Sequence, residues 1–318
     1  SIILDCSNCI RKCDFNKRIA VHKSFFVDCI NGSETDPTKG EVSIIGKAPS
    51  ALGLGGIIGV TVVAKTFEGL KNYGPVQMTG AGSGGDTYRA SIGGILGYCV
   101  AADFKLLNCE NYGNVAYGPT AALGRTDVGG IIGFVKTAAV IEGCKNGGKV
   151  EHTAAGSSGE QTVAGICGCP AATVIFNDCV NLASAEIIGS GTTGSGYDIA
   201  GIAGGPSGAS IEFNRCKNYG TVSHATQHSN STYVGGIVGY VGENRGEGYT
   251  INNNTVDGGT ITGYRDLGGI AGAAYVKECK NNKVYSTTIT VDQETNFYGK
   301  KPIYTEKFVG RVLGGTLG

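Results

Sequence analysis

The sequence contains no tryptophan, one methionine and four histidines, and only 16% of its residues are charged. No apolar run approaches the roughly 18 residues that a membrane-spanning helix needs. The 26 basic and 26 acidic residues cancel, so no net field favours nucleic acid or an anionic membrane. Seven prolines without a Gly-X-Y period exclude collagen. Apolar spacing of helical period is missing, which removes ankyrin, tetratricopeptide and leucine-rich architectures. No His-Glu-x-x-His occurs, and no Gly-x-Ser-x-Gly elbow leads into a helix. Starting at Ser1 rather than Met, the chain reads as a processed or excised piece.

Glycine is abundant instead, with 55 residues, and cysteine reaches 12. Apolar residues make up 41%, enough to build a core. The motif Gly-Gly-Ile-x-Gly occurs at Gly55–Gly59, Gly93–Gly97, Gly129–Gly133, Gly235–Gly239 and Gly268–Gly272. Weaker copies start at Ala164 and Ala200, and a degenerate one spans Gly310–Gly314. The second glycines, at 56, 94, 130, 165, 201, 236 and 269, step by 33 to 38 residues. A second motif, apolar-x-x-Cys-x-Asn, rides at the same period: Leu106/Cys109/Asn111, Ile141/Cys144/Asn146, Phe176/Cys179/Asn181, Phe213/Cys216/Asn218 and Val276/Cys279/Asn281. Phe67/Leu70/Asn72, Phe26/Cys29/Asn31 and Ile3/Cys6/Asn8 extend it toward the N-terminus. A third apolar piece follows each Asn: Val76, Val115, Val150, Val222, Ile261 and Val284.

Three short strands and three turns per unit predict an all-β fold, a right-handed parallel β-helix with about 36 residues per coil. Stacked coils place like residues about 4.8 Å apart. Residues 51–285 hold the repeats; 1–50 read as N-terminal coils or a cap, and 286–318 as a C-terminal strand segment, cap or inter-subunit contact. The recurring Asn would sit at turns prone to the left-handed conformation and hydrogen-bond along the stack. A propeller blade would not generate such columns.

Gly-Gly-Ile-Ile-Gly-Phe together with apolar-x-x-Cys-x-Asn-x-Gly-x-Val resembles GLUG repeats. These occur in bacterial surface proteins, including some IgA-cleaving peptidases and adhesin-like proteins. The resemblance covers roughly residues 50–285 and implies a β-solenoid exported to a cell surface in a supporting or adhesive role. It carries over no active site.

Cys109, Cys144, Cys179 and Cys216 read as a buried thiol ladder beside the ladder of Asn111, Asn146, Asn181 and Asn218; a linear column does not offer tetrahedral metal ligation. Cys9 and Cys13 are candidates for a disulfide in the N-terminal segment. His152 and His224, at one repeat position two coils apart, read as solvated loop residues, too far apart to share a metal. No metal or cofactor is expected. Arg89 and Arg125 share one column, and Asp127, Asp198 and Asp266 another. Tyr73, Tyr112 and Tyr219 follow the ladder Asn. Aromatic and Arg rows of this kind, beside polar insertions before each Gly-Gly motif, fit glycan or protein contact. Asn31, Asn230 and Asn253 match the N-glycosylation sequon.

The leading expectation is a non-catalytic, extracellular or cell-surface structural solenoid. It would display a loop-rich face to glycans or proteins and self-associate end to end or by strand donation, with no nucleic-acid partner and no transmembrane segment. The alternative is a polysaccharide lyase or hydrolase on a β-helix, with Arg89, Arg125 and Asp127 as its only hint.

Overall fold

A computed structural model describes residues 26–45, 51–62, 66–79, 89–118, 124–154, 159–191, 196–208, 210–225, 231–241, 248–291, 309–310 and 313–316. These residues form a parallel β-solenoid of stacked coils. The coil carries five short strands rather than three, so the chain closes into five walls. Wall one runs from Phe26–Val27 to Glu278–Lys280, wall two from Ile30–Asn31 to Lys283–Tyr285, and wall three from Val42–Ile44 to Thr288–Val291. Wall four runs from Ala51–Gly55 to Val309–Gly310, and each of these four is eight strands deep. Wall five, which follows the Gly-Gly turn, is split into four strands (Ile58–Thr61 to Cys167–Pro170) and three (Val238–Val241 to Leu313–Thr316). Between the two parts Ala203 forms isolated bridges to Cys167 and Val238, and Gly204, Gly205 and Ser207 donate backbone N–H groups to the coil before. The ladders therefore continue beyond residues 51–285 into both flanking segments. Among the described residues no helix is long and apolar enough to cross a membrane.

The corner between walls one and two explains part of the repeat. One residue per coil there adopts a left-handed backbone: Asp28, Gly69, Asn108, Gly143, Asp178, Arg215, Asn253 and Asn281, with φ between 52° and 65°. Asp, Asn and Gly are the residues that tolerate this region at least cost. The turn chemistry of the ladder Asn pointed to that Asn as the left-handed residue. It lies instead just before the Cys position.

The three glycines of Gly129-Gly130-Ile131-Ile132-Gly133 have three separate reasons. A Cβ on Gly129 would run into the Ile132 carbonyl, one on Gly130 into Gly165 O and the Asn146 side chain, and one on Gly133 into the backbone of Ser91 and Ile92 in the preceding coil. The motif thus lets the strand after the turn press against the strand before it, and seats the Asn ladder on the second-glycine column. That shared contact is why the two motifs keep the same period.

The core is one continuous cluster from Ile44 to Ala274. Coil length varies around it. The ladder position repeats after 41, 39, 35, 35 and 37 residues from Asn31 to Asn218. The last coil is shorter, with Asn254 and Asn282 only 28 apart. This shortening shifts two sequence assignments. Cys279 aligns with Ile251 in the aromatic-aliphatic column, not with the Cys column. Val284 aligns with Val256 in the ladder column, and Ile289 takes the place expected for it.

Candidate functional site

Three columns carry the polar chemistry. The first is the Asn ladder. Asn31, Asn72, Asn111, Asn146 and Asn181 each donate Nδ2 to Oδ1 of the Asn one coil on, at 2.7, 2.7, 2.9, 3.1 and 2.8 Å. Asn72, Asn111 and Asn146 give their other amide hydrogen to the carbonyl two residues ahead, at 2.8, 2.8 and 3.0 Å. These amides are buried, and their hydrogen bonds offset the cost of burying them. Alongside, Cys109, Cys144, Cys179 and Cys216 are buried free thiols. Cys144, Cys179 and Cys216 each donate to a carbonyl of the preceding coil. Burial pushes the Cys144 and Cys179 thiols well above the usual range, which removes thiolate reactivity.

The second column lies between walls four and five. One face of a wall-four strand points into the core toward wall three, and the other meets the side chains of wall five. Arg89 and Arg125 are direct register neighbours there. Arg89 Nε donates to Asp127 Oδ2 at 2.5 Å, Arg125 Nε approaches Asp127 Oδ1 at 3.5 Å, and Thr162 Oγ1 donates to the same carboxylate at 3.0 Å. Asp127 is fully buried while the two arginines stay about a quarter exposed. Arg89 lies over the Phe134 ring, 3.3 Å from its centre. Arg125 also pairs with Glu160 at 2.9 Å and donates to the Cys169 thiol at 3.2 Å. Next in the Asp127 column, past Thr162, comes Asp198. Burial, then the neighbouring Glu160 carboxylate, raises the Asp198 pKa well above the usual carboxylate range, against the pull of Arg125. Its Oδ2 lies against Gly205, where the fifth wall is interrupted and a side chain would collide with it.

The folded state therefore keeps a proton on Asp198 that the unfolded chain releases above about pH 3.8. The resulting stability is full below that pH and is lost as pH rises toward the folded pKa. Asp198→Asn removes the dependence. The variant is expected to be about 2 kcal/mol more stable than wild type at pH 7 and equal to it near pH 3.5. Urea unfolding at the two pH values measures this; a variant less stable at pH 7 contradicts the assignment.

The third column is inside the solenoid. His152 and His224 are fully buried, not solvated loop residues, and both close strands of wall three. They share one register column, separated by Gly189. Gly189 leaves space that Tyr197 fills from wall four: its ring stands 5.3 Å from His152 and 4.8 Å from His224, and its hydroxyl is 3.1 Å from His152 Nδ1. Tyr117 covers the other side of His152 at 4.8 Å. Burial drives the His152 pKa down to about 4, so the imidazole is neutral at physiological pH. Sequence reading placed these histidines in loops because the polar run around His224 resembles a loop. The signal that could have found them is their shared column opposite Tyr197.

On the surface, Tyr73 and Tyr112 stack at 5.3 Å with rings 11° apart. Gly147 and Leu182 separate them from Tyr219 along the same column. Tyr112 is 39% exposed and donates its hydroxyl to Glu110, which also pairs with Lys71 and Lys145. Asp266 keeps its column, beside Val234 of the preceding coil.

Of the sequon candidates, Asn31 is buried, with its amide given to Gly40 O and Asn72, so it is not an accessible acceptor. Asn253 is exposed at the left-handed corner. Asn230, Cys9 and Cys13 lie outside the described residues, as do the tips of the polar insertions. Among the described residues no group of three His, Cys, Asp or Glu is placed to hold a metal ion. Glu160 and Cys169, which complete the Arg125 cluster, were missed because neither shares a residue type with its column neighbours.

No protein-family model and no curated protein matches the chain. Among solved structures, a Bacteroides ovatus protein described as a "putative immunoglobulin A1 protease" is similar over 80% of this chain and 79% of its own, at 17% identity and a TM-score of 0.38.

Proposed function

We propose that the chain is a non-catalytic β-solenoid of a cell surface or the extracellular space, a stiff rod whose sides contact glycans or proteins. The observation that carries this reading is the state of Asp127. Its carboxylate is fully buried and engaged by Arg89, Arg125 and Thr162, so the group best placed for acid or base work is committed to tying three successive coils of wall four together. The GLUG-like repeats support the same reading. The side surface offers the contact chemistry: Tyr112, half exposed beside the Lys71–Glu110–Lys145 row, combines an aromatic ring with charged hydrogen-bonding groups, the combination that holds sugar rings or a partner side chain.

Glycan-array binding by the full chain tests this. Tyr112→Ala is expected to weaken binding at least tenfold, with a fall in melting temperature of no more than a few degrees from the lost stack on Tyr73. The enzymatic reading rests on the cluster of Arg89, Arg125, Glu160 and Asp198, whose arginines reach solvent. New reducing ends or unsaturated products from a polysaccharide panel, abolished by Glu160→Gln, would replace the first reading with that one.

A further inference from the structure

Wall four turns a polar column into the core. One coil after another it carries Thr126, Gln161, Tyr197 and Thr232 at the same register position, and all four are buried. Wall three faces it with Tyr117, His152, Gly189 and His224. Thr126 and Gln161 are direct register neighbours, so their side chains stand side by side on one face, about 4.8 Å apart at the backbone. The Thr126 hydroxyl is fully buried and has no hydrogen-bond partner among the described residues. A buried hydroxyl left unmet is costly, and a fold that keeps one calls for a reason.

The Gln161 carboxamide is held in one orientation. Its Nε2 donates to Gly159 O at 2.6 Å and to Gly124 O at 3.3 Å, which takes up both amide hydrogens. The imidazole of His152, opposite in the same coil, lies within reach of the Gln161 side chain. The tautomer of His152 follows from its other contact. The Gly191 N–H donates to Tyr197 Oη, which pulls the phenol pKa down against the effect of burial. The phenol gives its own proton to His152 Nδ1, at 3.1 Å. The imidazole hydrogen therefore sits on Nε2. Burial keeps the ring neutral, and a neutral imidazole N–H beside a carbonyl oxygen acts as an electrophile.

We propose that Thr126 and Gln161 join through an ester, a covalent tie between successive coils of wall four. Thr126 Oγ1 attacks Gln161 Cδ, the Cδ–Nε2 bond breaks, and the hydroxyl proton passes to the departing nitrogen, which leaves as ammonia. His152 Nε2–H stabilises the negative charge that builds on Oε1 during the step. An alcohol and a primary amide become an ester and ammonia, so no oxidant, metal or water is consumed. The register supplies the proximity, and the dry interior protects the product from hydrolysis. Ammonia escapes into bulk solvent, where it is too dilute to reverse the step. Thr232 is the internal comparison. Its hydroxyl is also buried and without a partner among the described residues, but its register neighbour in the coil before is Tyr197, which has no acyl group to attack. The inference is independent of what the sides of the rod bind.

Intact-mass spectrometry of the full chain, unfolded and reduced, tests the inference. Wild type is expected to be lighter than its sequence by one ammonia, in stoichiometric amount. Thr126→Val should restore the full mass, Thr126→Ser should lose the ammonia again, and Thr232→Val should keep the wild-type deficit. Proteolysis of wild type should give a fragment pair joined through Thr126 and Gln161 that hydroxylamine splits, because hydroxylamine cleaves an ester and spares an amide. That fragment map needs no variant, so the inference stays refutable even if Thr126→Val fails to fold. A wild-type mass equal to that of the sequence overturns it. So does a deficit that survives Thr126→Val, the signature of a succinimide at an Asn-Gly pair such as Asn146-Gly147. Absence of glycan binding by fully cross-linked protein would refute the proposed function and leave this inference standing.

Discussion

Asn146→Asp is expected to cost more stability than Asn146→Ala, about 5 against about 3 kcal/mol. Asn146 Nδ2 donates to Gly148 O and to Asn181 Oδ1, while its Oδ1 accepts from Asn111. Alanine leaves Asn111 with an unmet donor and two acceptors without their hydrogen. Aspartate keeps the bond from Asn111 but sets a buried negative charge against those two acceptors. The near-isosteric change is therefore worse than truncation. Protonation supplies a single donor, so the gap between the two variants should narrow as pH falls toward about 4 and stay constant below it. Urea unfolding measures the global loss, and hydrogen exchange at Lys145 and Asn146 locates it. Equal costs for the two substitutions would mean that the amide ladder contributes packing rather than hydrogen bonding.

Acidification gives the second large effect, through His152. Its pKa falls from 6.5 in the free side chain to about 4 in the fold because burial disfavours the imidazolium. Between those values the unfolded chain binds a proton that the folded chain refuses, so stability is full above pH 6.5, declines as pH drops, and stops declining near pH 4. The shift corresponds to about 3 kcal/mol over that window. Asp198 acts in the opposite sense, gaining stability as pH falls, so the clean readout is a comparison of wild type with His152→Phe. The phenyl ring keeps the contacts with Tyr117 and Tyr197 and cannot titrate. The stability of wild type relative to the variant should fall by about 3 kcal/mol from pH 7 to pH 4. A constant difference across that range would show that His152 does not set the acid limb.

The sequence is unusually open to reading where the columns are chemically uniform. Gly93, Gly129 and their equivalents, and Asn111 to Asn218, could be aligned by eye because each coil imposes the same collision or the same hydrogen bond on its neighbour. That repetition predicted the parallel stack and the shared column of Arg89 and Arg125. It failed where a column tolerates different residues. The strand between the polar insertion and the Gly-Gly turn carries Arg125, Glu160, Gly196 and Ser231 at one register position. These share no type, so the partnership of Glu160 with Arg125 could not be seen. The five-walled section was hidden for a related reason: strands of two residues, such as Lys145–Asn146, are too short to show alternation. His152 and His224 were misplaced because polar neighbours outweighed position, although their column mates Tyr117 and Met78 are buried side chains. The short last coil defeated alignment by spacing altogether.

The interruption of the fifth wall at Ala203 has a mechanical consequence. Elsewhere along the described stack a transverse load is shared among five walls of regular strands, but at this coil the fifth has only the backbone hydrogen bonds of Ala203, Gly204, Gly205 and Ser207, with two glycines that bring no side chain and Pro206, which has no N–H to contribute. Flexural stiffness on that side therefore drops at this coil of the described stack. A force applied at its tips bends the particle toward or away from that side before any ladder parts elsewhere.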